Sequence, residues 1–314
     1  MSQKHHILQD IESKQLLREL LNSNKFTAIF YRYSSSLIFT LAYGKRMMNG
    51  NEEGLKGFVE VVKEVLQEVD GNLIVDTFPI LDYLPRCVAA WKERGTFRLS
   101  EVKHLEREEL ALVIGVLYEA AHTTPMVLEV FVMASVLHQD AVCRAQRELD
   151  IVVGLDRVPT FEDMPSLPYV NAFVREVFRW RPITPGGMHH AVIEGDEHMG
   201  YRIPKGTTVV ANHWSLNLDG ELFEHPYGFR PERWIANPNL PESAFGFGRR
   251  VCPGKHIGRN SVLLIIARII WAYHMDHTYE NGKKQDIDPW EMTQGPNSQP
   301  IPFKASFRIR SLGH

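Results

Sequence analysis

Residues 245–255 read FGFGRRVCPGK. Three glycines, two adjacent arginines and one cysteine share this stretch, and Pro253 stands directly behind the thiol. A thiolate is stabilised by backbone N–H groups, by nearby positive charge and by a helix N-terminus. The stretch has the means for all three. Its glycines let backbone approach closely, Arg249 and Arg250 carry charge, and the apolar run from Ile257 to Tyr273 reads as a helix starting just beyond Gly254. Pro253 lacks an N–H but suits the first turn of that helix. A free cysteine is often simply a buried hydrophobe; here the glycines and arginines around Cys252 point instead to a ligating or reactive sulfur.

The rest of the composition narrows the classes. The chain has 314 residues, 44% of them hydrophobic and 23% charged, an ordinary globular mixture. A net charge of −3 implies no basic face for nucleic acid. Cys87, Cys143 and Cys252 lie far apart, without zinc spacing, and their odd count argues against a disulfide framework. That fits a reduced, intracellular chain. No apolar run reaches the roughly 20 residues needed to span a bilayer. The best stretch, Leu110 to Val136, is broken by Glu119, His122, Pro125 and Glu129, and the first residues, MSQKHHILQDIESKQ, lack a signal-peptide core. The expectation is a soluble protein with no transmembrane segment in this chain.

Periodicity predicts mostly helix. Residues 7–21 form one, with Ile7, Ile11, Leu16, Leu17 and Leu20 on one side, and residues 26–43 a second, closed by Gly44. Leu55–Val69 is a third, and TFPILDYLP (77–85) an apolar loop. Leu110 to Leu137 is the longest helical pattern, and Pro125 should kink it. Residues 141–153 give a helix ended by Gly154, and residues 169–180 one stopped by Pro182. Residues 190–212 alternate β-branched runs with Gly and Pro turns and read as small strands. The tail, PIPFKASFRIRS, reads as a final hairpin. Regular strand–helix alternation is missing, so the class is mainly α with a small β portion.

Phe245, Gly248, Arg250, Cys252 and Gly254 fit the pattern F-x-x-G-x-R-x-C-x-G. In this the chain resembles the cytochrome P450 family, and the resemblance carries further expectations. It implies a cytochrome P450-like fold lacking its amino-terminal part. Residues 1–314 would form one partial domain, with 110–138 as the long distal helix and 245–273 as the haem-thiolate loop and its following helix. Cys252 would be the axial ligand of the iron of haem b (iron protoporphyrin IX), Phe245 its packing partner and Arg250 a propionate contact. His190, in TPGGMHHAV, lines up with another propionate contact. The family's E-x-x-R matches Glu176 and Arg179 in REVFRWRP, and FRPERW supplies Arg233 to complete an ion-pair triad. A spacing of three puts Glu176 and Arg179 on one helix face.

The resemblance also meets departures. AAHTT (120–124) falls where the family has A/G-G-x-D/E-T-T. Thr123 matches the oxygen-side threonine, while His122 replaces the acid; as a group that titrates near neutrality it is a candidate proton relay. In the family a membrane anchor of the endoplasmic reticulum, several helices and most of the main sheet precede the region matching Ile7, so a truncated or reduced form is expected. The leading functional expectation is a haem-thiolate monooxygenase of fungal secondary-metabolism type. It would use O2 and electrons from an NADPH-cytochrome P450 reductase docked near Arg249, Lys255 and His256, because the chain has no G-x-G-x-x-G loop of its own. A small lipophilic substrate would meet residues 183–188 and the tail turn near Ser298 to Pro302. Two other readings stay open: a remnant that binds haem weakly or not at all, and a haem-dependent isomerase or dehydratase.

Overall fold

The computed structural model describes residues 2–44, 46–48 and 120–310. The readings for Leu55–Val69, for residues 77–85 and for Leu110 to Glu119 lie outside these. The chain divides into two compact units, residues 1–33 with 123–314, and residues 34–122.

The first unit is a helical core with four small two-stranded antiparallel sheets on it. Its helices are α1 (Ser2–Asn22), the start of α2 (Phe26–Tyr43), α3 (Thr123–Leu137), α4 (Gln139–Val152), α5 (Pro168–Trp180), the short α6 (His213–Asn217) and α7 (Glu232–Ala236), and α8 (Lys255–Ala272). The centre is α8, buried without a break from Ser261 to Ile270. A helix apolar all round must be enclosed, and α1, α3, α4 and α5 pack against it. The reading for residues 141–153 matches α4. Gly154 then turns left-handed at φ 77° and donates its N–H to the Leu149 carbonyl at 3.2 Å.

One helix face differs from the pattern reading. Ile7 and Ile11 of α1 are exposed, while Gln9, Glu12 and Ser13 are buried with Leu16 and Leu20. Arg32 of α2 pairs with Glu12 at 2.8 Å, and groups on α8 hold the others. Gln9 Nε2 donates to the Ile257 carbonyl at 2.9 Å and to Ser261 Oγ at 2.8 Å, and the fully buried Arg268 donates to the Asp10 carbonyl and Ser13 Oγ.

The strands of residues 190–212 are three residues each: β1 (His189–Ala191) pairs with β4 (Thr208–Val210), and β2 (Asp196–His198) with β3 (Tyr201–Ile203). The tail is not a hairpin. Its strand β8 (Ala305–Ile309) pairs with β5 (Tyr273–His277), which runs straight out of α8. Pro300 and Pro302 lack the N–H groups that a ladder within the tail would need. Between them β6 (Tyr279–Glu280) and β7 (Lys283–Lys284) form a hairpin over Asn281 and Gly282, both at positive φ.

In the second unit the described residues are 34–44, 46–48 and 120–122. Gly44 caps α2 at φ 68°, donating to Thr40 O at 2.9 Å. The helical assignment is interrupted at His122, one residue before α3 begins, and not at Pro125. Pro125 occupies the first turn of α3, where its missing N–H costs nothing. Ala121 O, which residue 125 would have bonded in a continuous helix, accepts instead from Ser34 Oγ at 2.6 Å.

Candidate functional site

The stretch around Cys252 is a loop closed at its base. Cys252 N–H donates to the Phe245 carbonyl at 2.8 Å, and Lys255 N–H, opening α8, donates back to Cys252 O at 3.1 Å. Gly246 and Gly248 lie at φ 72° and 56°, which favours glycine at both. Gly248–Arg250 makes one 3₁₀ turn, and Gly254 is the N-cap of α8. The Cys252 thiol is exposed, as are Phe247, Val251, Arg249 and Arg250. Phe245 points the other way. Its ring meets Phe178 of α5 at 5.2 Å.

Phe247 links the loop to the strands. Its ring stands edge-on to His213 at 5.8 Å. His213 is buried, which pushes its pKa below the usual imidazole value, and its Nδ1–H donates to Thr184 O at 3.0 Å. Gly187, at φ 63°, has no space for a side chain: a Cβ would lie 2.4 Å from Ala211 O. Residues 184–187 are thereby locked onto 211–213. The β1–β4 sheet hangs from the same junction, with His190 exposed opposite Val209. Nothing in the sequence pattern marks His213, a single histidine in NHW.

Below the loop the structure brings Glu176, Arg179 and Arg233 together. Arg179 grips the Glu176 carboxylate with Nε and Nη2 at 2.9 and 2.8 Å, and Arg233 Nε reaches it at 3.2 Å. Trp234 Nε1 and the Arg230 N–H each add a bond at 2.8 Å. The free ends of both arginines hold backbone. Arg179 donates to Asn217, Pro226 and Gly228 carbonyls, and Arg233 to those of Glu224 and His225. Asn217 passes the connection on, its Oδ1 accepting from Ser243 Oγ at 2.6 Å, two residues before Phe245.

The two segments expected to meet substrate touch each other. Ser298 N–H donates to Ile183 O at 2.7 Å, and Thr184 Oγ1 to Asn297 Oδ1 at 3.4 Å. Neighbouring Arg181 is buried with its guanidinium between Trp180 and Trp290, 4.2 and 4.1 Å from the ring centres; burial lowers its pKa to about 10. Its Nε donates to Pro289 O at 2.6 Å, pinning the tail. Thr123 is the first residue of α3 and His122 the last of the second unit, both half-buried.

Among the described residues no group of three His, Cys, Asp or Glu side chains could hold a metal ion. An exposed thiol flanked by exposed Phe247 and Val251, with Arg250 two residues away, suits an apolar macrocycle carrying acidic side groups.

Comparison with known proteins decides the lineage. The family pattern described as Cytochrome P450 matches residues 92–303. The chain belongs to the cytochrome P450 family. Over its whole length it is 47% identical to "Cytochrome P450 monooxygenase FrzL" of Cladobotryum sp, covering 67% of that protein. It is 44% identical to aneD of Aspergillus aculeatus, covering 68%, and 41% identical over 99% of the chain to peniB of Penicillium patulum, covering 65%; both carry the same monooxygenase name. The chain thus spans about two thirds of the length of these relatives. Among solved structures, a zebra fish cytochrome P450 in a structure with abiraterone has a TM-score of 0.75 at 23% identity, covering 99% of this chain and 79% of that one. The fold is therefore that of a cytochrome P450, and the chain is of the monooxygenase type. Family and fold imply a haem. No single helix among the described residues is long and apolar enough to cross a membrane.

Proposed function

We propose that this chain carries the haem-thiolate centre of a monooxygenase that oxidises a small lipophilic substrate in secondary-metabolite biosynthesis. The observation that carries the reading is the exposed Cys252 thiol on a loop closed by its own backbone at the N-terminus of α8. Haem b, when bound, supplies the activation of O2. Cys252, on the same loop as Arg249 and Arg250 and just before α8, would hold its iron as a thiolate. Arg250 and His190 are assigned to the propionates. Phe245 fixes the height of the loop from below. Thr123, at the head of α3, is given the oxygen-side hydroxyl, and His122 the delivery of protons, a role open to an imidazole at neutral pH. Residues 183–188 and the tail turn near Ser298 to Pro302, joined through Ser298 and Ile183, form the substrate-facing edge. Electrons come from a flavoprotein reductase of the NADPH-dependent kind, docking beside Arg249, Lys255 and His256.

The test is spectroscopic. The full chain is loaded with haemin, reduced and exposed to CO. The Soret band of thiolate-ligated haem is expected for the natural chain and is expected to vanish in Cys252→Ala. A chain that binds no haemin, or a C252A variant that keeps the thiolate band, overturns the assignment. Substrate-dependent NADPH consumption with added reductase then separates oxygenation from an isomerase or dehydratase.

A further inference from the structure

The thiolate loop has two ends, and they are held differently. Its far end is α8 itself. Its near end, residues 241–245, belongs to no regular element and is fixed by side chains. Glu242 has the central place. One carboxylate oxygen lies 2.5 Å from Arg175 Nε on α5, and the other accepts from Arg259 Nη1, in the second turn of α8, at 2.9 Å. Arg175 is itself held. Its guanidinium lies over the Trp234 ring at 4.1 Å, Nη2 donates to Pro238 O at 3.0 Å, and partial burial lowers its pKa. Three residues on from Glu242 comes the Phe245 carbonyl that closes the loop on Cys252 N–H. A shift of this near end therefore moves both the packing ring and the backbone that sets the sulfur.

We propose that Glu242 is the positioning residue of the thiolate loop, its carboxylate tying the near end to α5 through Arg175 and to α8 through Arg259. The proposal rests on Cys252 being the haem ligand. It gives Glu242 a function that its exposure would not suggest. The side chains of Glu242, Arg175 and Arg259 are 29%, 16% and 33% exposed, and isolated pairs of that kind contribute little to stability. Its effect is geometric: changing a residue that orients a metal ligand without touching the metal typically costs about 10–100-fold in metal affinity or activity.

A matched control exists in the same fold. Asp150 pairs with Arg310 at 2.7 Å, with side chains 35% and 14% exposed. Arg310 also donates to the Trp271 carbonyl at the far end of α8, about 24 Å along the helix from its start at a rise of 1.5 Å per residue. Full-length natural chain, Glu242→Ala and Asp150→Ala are to be compared by melting, by haemin titration and by the reduced CO spectrum. Glu242→Ala is expected to bind haemin about tenfold more weakly and to lose part of its thiolate band, with Asp150→Ala unchanged in both at a similar melting temperature. If Glu242→Ala fails to fold, Glu242→Gln carries the test with the same expected direction. A natural chain that binds no haemin overturns the ligand assignment and this inference with it. A natural chain with a normal thiolate band beside a Glu242 variant equal to it overturns the inference alone, as does an equal loss in Asp150→Ala.

Discussion

Glu176 and Glu129 are both carboxylates inside the helical core, and their surroundings are opposite. Glu176 on α5 is fully buried and accepts from five donors: Arg179 Nε and Nη2, Arg233 Nε, Trp234 Nε1 and the Arg230 N–H. Glu129 on α3 is 4% exposed and is bonded by the Thr27 hydroxyl, while its Oε1 has no hydrogen-bond partner among the described residues. Desolvation raises the Glu129 pKa to about 7. Burial alone does not decide whether a carboxylate stays charged; the donors that replace water do. The difference also separates their roles. The arginines on Glu176 reach on to the 217–228 backbone and, through Asn217 and Ser243, to the thiolate loop. Among the described residues no comparable network extends from Glu129.

The largest effect should come from Glu176→Ala. It leaves the Arg179 and Arg233 guanidiniums buried without their anion, a loss of about 3–5 kcal/mol. Denaturant unfolding of the haem-free chain should show it, and haem uptake should fail in parallel because the loop loses its support. A variant within about 0.5 kcal/mol of the natural chain, the range of an ordinary surface change, would mean the cluster is not what holds this region.

Glu129→Gln tests the other side of the comparison. The unfolded carboxyl titrates near 4.5 and the folded one near 7. Below about pH 4.5 both forms are protonated, and the group costs the fold no ionisation. Between the two values the unfolded chain gives up its proton while the folded chain keeps it, so stability falls as pH rises. Above about pH 7 the full penalty applies, at most roughly 3.5 kcal/mol at about 1.4 kcal/mol per pKa unit. Gln carries no such titration. Its unfolding free energy should change little between about pH 5 and about pH 8 from this source, and it should exceed the natural chain's at the upper end. Parallel pH profiles for the two proteins would show that Glu129 has a partner that keeps it ionised.

What the sequence disclosed of this molecule follows contact range. The F-x-x-G-x-R-x-C-x-G stretch and E-x-x-R are written in consecutive residues, because a loop cradle and one helix face are local objects. Arg233 became readable only through its P-E-R-W neighbours. The polar face of α1 was hidden. Hydropathy assigns Ile7 and Ile11 to the inside, while the partners that bury Gln9 and Ser13 are Ser261 and Arg268, some 250 positions away. The strand paired with the tail was hidden for the same reason. The β6–β7 turn is a local object too, since Asn281-Gly282 is the dipeptide that tight hairpins favour. Glu242 and His213 carried no signal: each is one common residue whose meaning lies in what the fold sets beside it.

A smaller change asks whether the advantage of Glu176 is spread over its donors or held by the arginines alone. Trp234→Phe keeps an aromatic ring for Arg175 to lie over and removes one N–H, the 2.8 Å donor to Glu176 Oε2. A hydrogen bond to a charged group contributes about 1.5–3 kcal/mol. Four donors remain, so the oxygen is not stranded, and the expected loss is about 1.5 kcal/mol, the lower end of that range. Denaturant unfolding at constant slope should show it as a shifted midpoint with no change in cooperativity. The thiolate band should survive, because Arg179 still holds Asn217, and through it Ser243, in place. A loss as large as that of Glu176→Ala would mean that the tryptophan, not the ion pairs, carries the stability of this cluster. No loss at all would place Glu176 closer to Glu129 than five donors imply.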